Sequence, residues 1–187
     1  MKKLSITAIL IISLIAVATL SSHRPKTVLA LQSQGFAGTW RLNRERSEDL
    51  VGGLAGAEYV LEVALRQAEL TVEEKIRIRG RWQPSQPRLF YLDGRSSTAE
   101  VSRPLAGTME LEARLLEPDS PAGRKKEARE RMLELRTTLA GDNQGLPVTL
   151  MTREFWELID GGQSLKILRL RELGEKTQQM TLVLERQ

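Results

Sequence analysis

Few side chains in this sequence can do chemistry, and their types limit it sharply. There is no cysteine and a single histidine, His23. His23 lies in a segment with the features of a removable leader, so the remaining domain holds neither imidazole nor thiol. Ser-His-Asp and Cys-His catalysis are then excluded, as is any zinc site using His or Cys ligands. Haem chemistry is left only tyrosine ligation through Tyr59 or Tyr91, and no phosphate-cradling glycine loop is present. Carboxylates remain. Glu73 and Glu74, Glu154 and Glu157, or Asp119 would serve as acid/base pairs only from a shared face, whereas adjacent strand residues point to opposite faces. They read as charges on a wet face. The Asp142-Asn143 loop lacks the spacing for the roughly six to eight oxygen ligands of calcium. The expectation is a non-enzymatic domain without metal or cofactor.

What the sequence does offer is a set of large, directional groups. Trp82, Tyr91, Arg153 and Trp156 are expected to bind ligand, since pockets are mostly apolar with a few placed polar atoms. Core packing is the competing use of the aromatic members. Arg153 shares a face with Met151 and Phe155, so it needs a partner if that face is buried and is solvated if it lies outside.

The elements that must position these groups follow a period of two. Tyr59, Leu61, Val63 and Leu65 alternate with more polar neighbours, as do Leu70, Val72, Ile76 and Ile78. Met109, Leu111, Ala113 and Leu115 form the cleanest alternation, and Val148, Leu150, Trp156 and Leu158 mark one face of a long run. Asp160, Gly161 and Gly162 give a hairpin signal before Leu165 to Glu172, and a break near Gly174 precedes Met180, Leu182 and Leu184. Asp93 and Gly94 make a similar turn. About ten strands are expected between Thr39 and Arg186 in an antiparallel meander. One apolar face per strand suits a closed barrel, with a two-sheet sandwich as the alternative. Ser47 to Leu54 is ambiguous, with a short helix as one reading. Pro121 to Glu134 favours helix by composition and is either a solvated connection or a partner-binding helix.

The amino terminus reads as an address. Lys2 and Lys3 precede the uncharged run Ile6 to Leu20, and small residues follow at Thr19, Ser21, Ser22 and Ala30. As a helix that run reaches roughly 22 Å, short of a hydrocarbon core of about 30 Å, so it reads as a cleaved Sec-type signal rather than an anchor. Cleavage after Ser21 or after Ala30 fits, and with no cysteine after the run there is no lipoprotein anchor. Residues 1–30 are assigned to signal and basic linker, and 35–187 to the barrel. The expected location is periplasmic or extracellular, with no stable membrane span after cleavage. The formal charge is +4 from 28 basic and 24 acidic residues, and four of the basic residues lie in that leader with no acid. A chain starting at Leu31 is therefore neutral, which argues against nucleic acid as a partner. A protein partner is not specified by any motif.

The segment Phe36-Ala37-Gly38-Thr39-Trp40-Arg41-Leu42 resembles the Gly-x-Trp opening of the calycin superfamily, which includes lipocalins and fatty-acid-binding proteins. The stretch GTWRLNRERS, with YLDGR (Tyr91 to Arg95), REFWEL (Arg153 to Leu158), DGGQSL and a closing LVLERQ, is also similar to bacterial secreted lipocalin-like proteins. The resemblance implies an all-β, antiparallel, lipocalin-like β-barrel of eight to ten strands with minor helix. It also implies a small apolar or amphipathic ligand in the barrel; a barrel filled by its own side chains, working through its surface, is the alternative. In lipocalins an arginine near the end of the last strand packs across the motif tryptophan, which makes Arg186 and Trp40 the expected barrel-closing pair. Glu185-Arg186-Gln187 departs from the Arg-x-Tyr pair of fatty-acid-binding proteins, so that device for holding a carboxylate is unsupported.

Overall fold

The structure, a computed structural model, describes residues 34–102, 105–116, 132–143 and 145–187. The leader assigned to 1–30 and the charged connection 117–131 lie outside the described residues. Eleven strands follow in order: β1 (Gly38–Glu48), β2 (Glu58–Arg66), β3 (Glu69–Ile78), β4 (Arg81–Trp82), β5 (Arg88–Tyr91), β6 (Ser97–Val101), β7 (Gly107–Leu116), β8 (Met132–Asn143), β9 (Leu146–Ile159), β10 (Ser164–Leu173) and β11 (Lys176–Arg186). The count exceeds ten because Pro84 and Pro87, which have no N–H to give a ladder, separate β4 from β5. Both pieces pair with β3.

All strands belong to one sheet of antiparallel neighbours, ordered β4-β3-β2-β1-β11-β10-β9-β8-β7-β6, with β5 on β3. The chain is thus an antiparallel, lipocalin-like barrel, and the sandwich alternative falls away. The first and last strands are joined with Trp40 opposite Arg186 and Leu42 opposite Leu184. No ladder joins β5 to β6. Side chains cross that gap instead: the Ser97 hydroxyl donates to the Leu89 carbonyl, and Gln86 Nε2 donates to the Glu100 carbonyl at 3.3 Å.

Alternate residues point inward. At the end where β1 begins, Phe36, Trp40, Leu61, Leu133, Trp156 and Leu184 are buried and fill the barrel. Trp40 Nε1 donates to the Phe36 carbonyl at 2.9 Å, and the rings of Phe36 and Trp156 lie 6.3 Å apart, tilted by 59°. This is the closed end. At the other end the connection between β1 and β2 crosses the opening. The ambiguous stretch Ser47 to Leu54 resolves there into the end of β1 and a 3₁₀ turn, Gly52–Ala55, because β1 runs on to Glu48 and paired glycines are poor helix formers. Leu54 is buried against the core, and Leu50 and Val51 pack beside it.

Candidate functional site

The interior is packed at the closed end and hollow towards the other. A cavity of about 470 Å³ opens where β3 ends and β10 turns into β11, within the size range of small-molecule sites. Leu54, Ile78, Leu139 and Leu150 are among its apolar lining, and Glu74, Arg88, Glu154, Arg169 and Arg171 bring charge to it from four strands.

These charges are inside because strand parity puts them there. On β10, Leu165 and Ile167 face the core, and continuing by twos reaches Arg169 and Arg171. On β3, Leu70 and Val72 lead to Glu74, and on β9 the phase of Trp156 includes Glu154 and Thr152. The expectation that Glu74 and Glu154 sit on a wet face is therefore corrected. Glu154 is 3% exposed and Arg169 8%, and their Oε1 and Nε atoms are 2.7 Å apart. Neither atom has an aligned hydrogen bond, so this contact is an ion pair without a directed N–H.

The rest of the network is better connected. Arg169 Nη2 lies 3.1 Å from Glu74 Oε1 and donates to the Tyr59 hydroxyl at 3.4 Å. Arg88 donates to the same Glu74 oxygen, and the Trp156 indole donates to Glu154 Oε2 at 2.9 Å. Burial by itself would raise the Glu74 carboxyl, but Arg169 and Arg88 outweigh it and hold it at about 2. Burial, with Glu74 nearby, pushes the Tyr59 phenol well above its ordinary value, so it stays neutral. For Arg169 burial works against the charge, yet Glu154 and Glu74 raise its pKa well above the usual value.

Arg171 differs from the others. It sits two residues nearer the mouth than Arg169, half-buried on the cavity wall, and its side chain has no hydrogen bond or ion pair among the described residues. Burial and then the neighbouring Arg169 lower its pKa. Three arginines face two carboxylates across this cavity, which leaves one positive charge uncompensated.

The residues singled out from sequence are distributed otherwise. Trp156 is fully buried in the closed half, below the cavity. Trp82 is 50% exposed on β4, with Arg77 5.8 Å from its ring centroid. Tyr91 ends β5 with the Arg95 guanidinium 4.0 Å from its ring. Arg153 lies on the outer surface, 5.2 Å from the Phe155 ring and 3.1 Å from Glu134. None of the four lines the cavity. Trp40 and Arg186 come together, with the guanidinium carbon 4.1 Å from the indole centroid. Among the described residues no three His, Cys, Asp or Glu side chains cluster as metal ligands, and no helix is long and apolar enough to cross a membrane.

No protein-family model matches the chain, and no curated protein matches it in sequence. Among solved structures it is similar to a fatty acid transporter, REP1-NXSQ, at 11% identity and a TM-score of 0.45 over 81% of this chain and 96% of that one. A Schistosoma mansoni fatty acid binding protein in complex with arachidonic acid matches at 11% identity and 0.47, over 83% and 98%. A zebrafish ileal bile acid-binding protein with cholic acid matches at 9% and 0.43, over 82% and 99%. The assignment of the barrel rests on the strand order above.

Proposed function

We propose that this protein is a non-enzymatic binding module that holds one small amphipathic anion in its barrel. The observation that carries the reading is Arg171, an inward-facing guanidinium with no hydrogen bond or ion pair among the described residues, on the wall of a cavity of about 470 Å³. A half-buried arginine without a paired anion bears a desolvation cost, and a ligand carboxylate, sulfate or sulfonate that accepts from its forked N–H groups offsets that cost. The register puts Leu150 one inward step nearer the mouth than Thr152, the residue opposite Arg171, so a ligand with its head on Arg171 leaves its hydrocarbon part among Ile78, Leu139 and Leu150. Glu74 and Glu154 are already committed to Arg88 and Arg169, which argues against their use in acid/base chemistry. We further propose that the domain acts outside the cytoplasm, on the strength of Lys2, Lys3 and the uncharged run to Leu20.

Titration with the fluorescent anion 8-anilinonaphthalene-1-sulfonate, followed by displacement with dodecanoate and with dodecanol, tests the cavity reading. Saturable binding is expected, with dodecanoate displacing the dye more strongly than dodecanol. Arg171→Gln should weaken dodecanoate by about tenfold and leave dodecanol unchanged, the loss of one charge-assisted contact. Equal displacement by acid and alcohol would remove Arg171 from the site, and absence of any binding by the folded protein would favour the self-filled barrel.

A further inference from the structure

The outside of the barrel is as unevenly built as the inside. Five large hydrophobic side chains are exposed among the described residues: Ile78, Trp82, Leu146, Met151 and Leu173. All five lie in the mouth half. Ile78 and Trp82 belong to the β3/β4 hairpin, Leu146 opens β9 after the β8/β9 turn, and Leu173 ends β10. Met151 is opposite Glu172, next to that last turn. The closed end exposes no such side chain among the described residues, so this distribution follows the axis of the barrel.

The β3/β4 hairpin adds charge to this rim. Its sequence, Arg77-Ile78-Arg79-Gly80-Arg81-Trp82, turns through Arg79 and Gly80, both at positive φ (49° and 79°), a two-residue turn of the kind that fits strand twist. Residues 77–87 are all exposed and contain no acid. Arg77 is engaged by Glu58 at 3.3 Å and by the Trp82 ring. The side chains of Arg79 and Arg81 have no partner among the described residues. Ile78 also lines the cavity, so the hairpin is continuous with the mouth.

We propose that this rim docks the barrel, mouth first, on an anionic lipid bilayer. Arginines alternating with Ile and Trp match a surface whose outer layer is negative phosphate and whose next layer is hydrocarbon. Trp82 and Ile78 enter the interfacial layer while Arg79 and Arg81 hold headgroup phosphates, and Leu146 and Leu173 make contact across the mouth. A nucleic acid would answer the arginines but would leave the ring of exposed Leu and Ile unsatisfied. Docking in this pose puts the cavity opening against lipid, so an amphipath passes between bilayer and barrel without crossing bulk water.

Trp82 reports on this directly, because the other two tryptophans, Trp40 and Trp156, are fully buried. The full chain is mixed with phosphatidylcholine vesicles with and without phosphatidylserine, and tryptophan emission is followed. A shift to shorter wavelength is expected with the anionic vesicles and should vanish in Trp82→Phe. Arg79→Gln with Arg81→Gln should raise the vesicle concentration for half the shift by about twenty-five-fold, about fivefold for each arginine. The uncharged run Ile6 to Leu20 is common to both chains, so its own affinity for lipid cancels from this comparison. Arg171→Gln should dock like the parent chain, which separates failure of docking from failure of the cavity reading. Trp82 emission that vesicles leave unmoved, or that moves equally in the double variant, overturns the proposal. So does arginine-dependent binding to duplex RNA without a vesicle response.

Discussion

Arg186 and Trp40 face each other across the β1/β11 ladder, the guanidinium carbon 4.1 Å from the indole centroid. The same guanidinium donates to three backbone carbonyls, of Gly35 at 2.6 Å, Ala37 at 2.9 Å and Gly162 at 3.2 Å. One side chain of the last strand therefore ties the entrance of the first strand to the β9/β10 turn. Gly38 is part of the arrangement: its φ is 145°, and a Cβ there would lie 2.6 Å from Arg186 Nη1.

Arg186→Ala should cost about 3 kcal/mol, since it removes a cation from an aromatic face and leaves three carbonyls without their donor. Gly38→Ala should destabilise by displacing the same guanidinium. Because both act on one contact, the double variant should lose clearly less than the sum, a coupling read from urea unfolding of the four proteins. Strict additivity would separate Gly38 from Arg186.

The interior ion network makes stability depend on acid. Glu74 has its pKa at about 2 in the fold against an ordinary 4.5. Its carboxylate thus contributes stability that is fully present above pH 4.5 and is lost as pH falls towards 2. Glu74→Gln should flatten the dependence of melting temperature on pH across that window. An unchanged slope in the variant would place the acid sensitivity elsewhere.

The three tryptophans should separate by location. Trp156→Ala and Trp40→Ala each empty a filled core position and should cost about 3–5 kcal/mol in urea unfolding. Trp82→Ala should stay within about 0.5 kcal/mol, as an exposed hairpin residue. Acrylamide should quench only the Trp82 emission of the native protein. A large loss from Trp82→Ala would mean that the β3/β4 hairpin is needed to close the barrel.

The barrel was legible from alternation, because inward Leu, Val and Ile repeat every second residue and a one-residue slip would turn them all to water. Trp40 and Arg186 were legible from a motif and from parity. The cavity charges were not, although their signal was present. In β3 the apolar series Leu70, Val72, Ile76, Ile78 skips Glu74, and in β10 Leu165 and Ile167 precede Arg169 and Arg171 at the same phase. A charged residue in an inward phase looks like an interruption until the opposite wall is known. Glu74 meets Arg88 from the neighbouring β5, but its other partner, Arg169, comes from β10, and only the curl of the whole sheet brings β3 and β10 within contact. Trp82, Tyr91 and Arg153 failed to reach the interior for a related reason: residue type suggested a pocket, while phase or strand end put them outside.

Charge count and direct contact make separable claims about the cavity. Glu74→Gln leaves three arginines against Glu154 alone, so the interior gains one positive charge and an anionic dye should bind about tenfold more tightly at neutral pH. Arg171→Gln should act in the opposite direction. The double variant restores the original net charge while removing the guanidinium nearest the mouth. If net charge alone governs affinity, the double variant binds like the parent protein. The expected result is that it remains weak, because a carboxylate or sulfonate needs the forked N–H donors of Arg171 and a diffuse field supplies none. Calorimetry on the four proteins with 8-anilinonaphthalene-1-sulfonate decides between the two, and parental affinity in the double variant would reduce Arg171 to one contributor to the field.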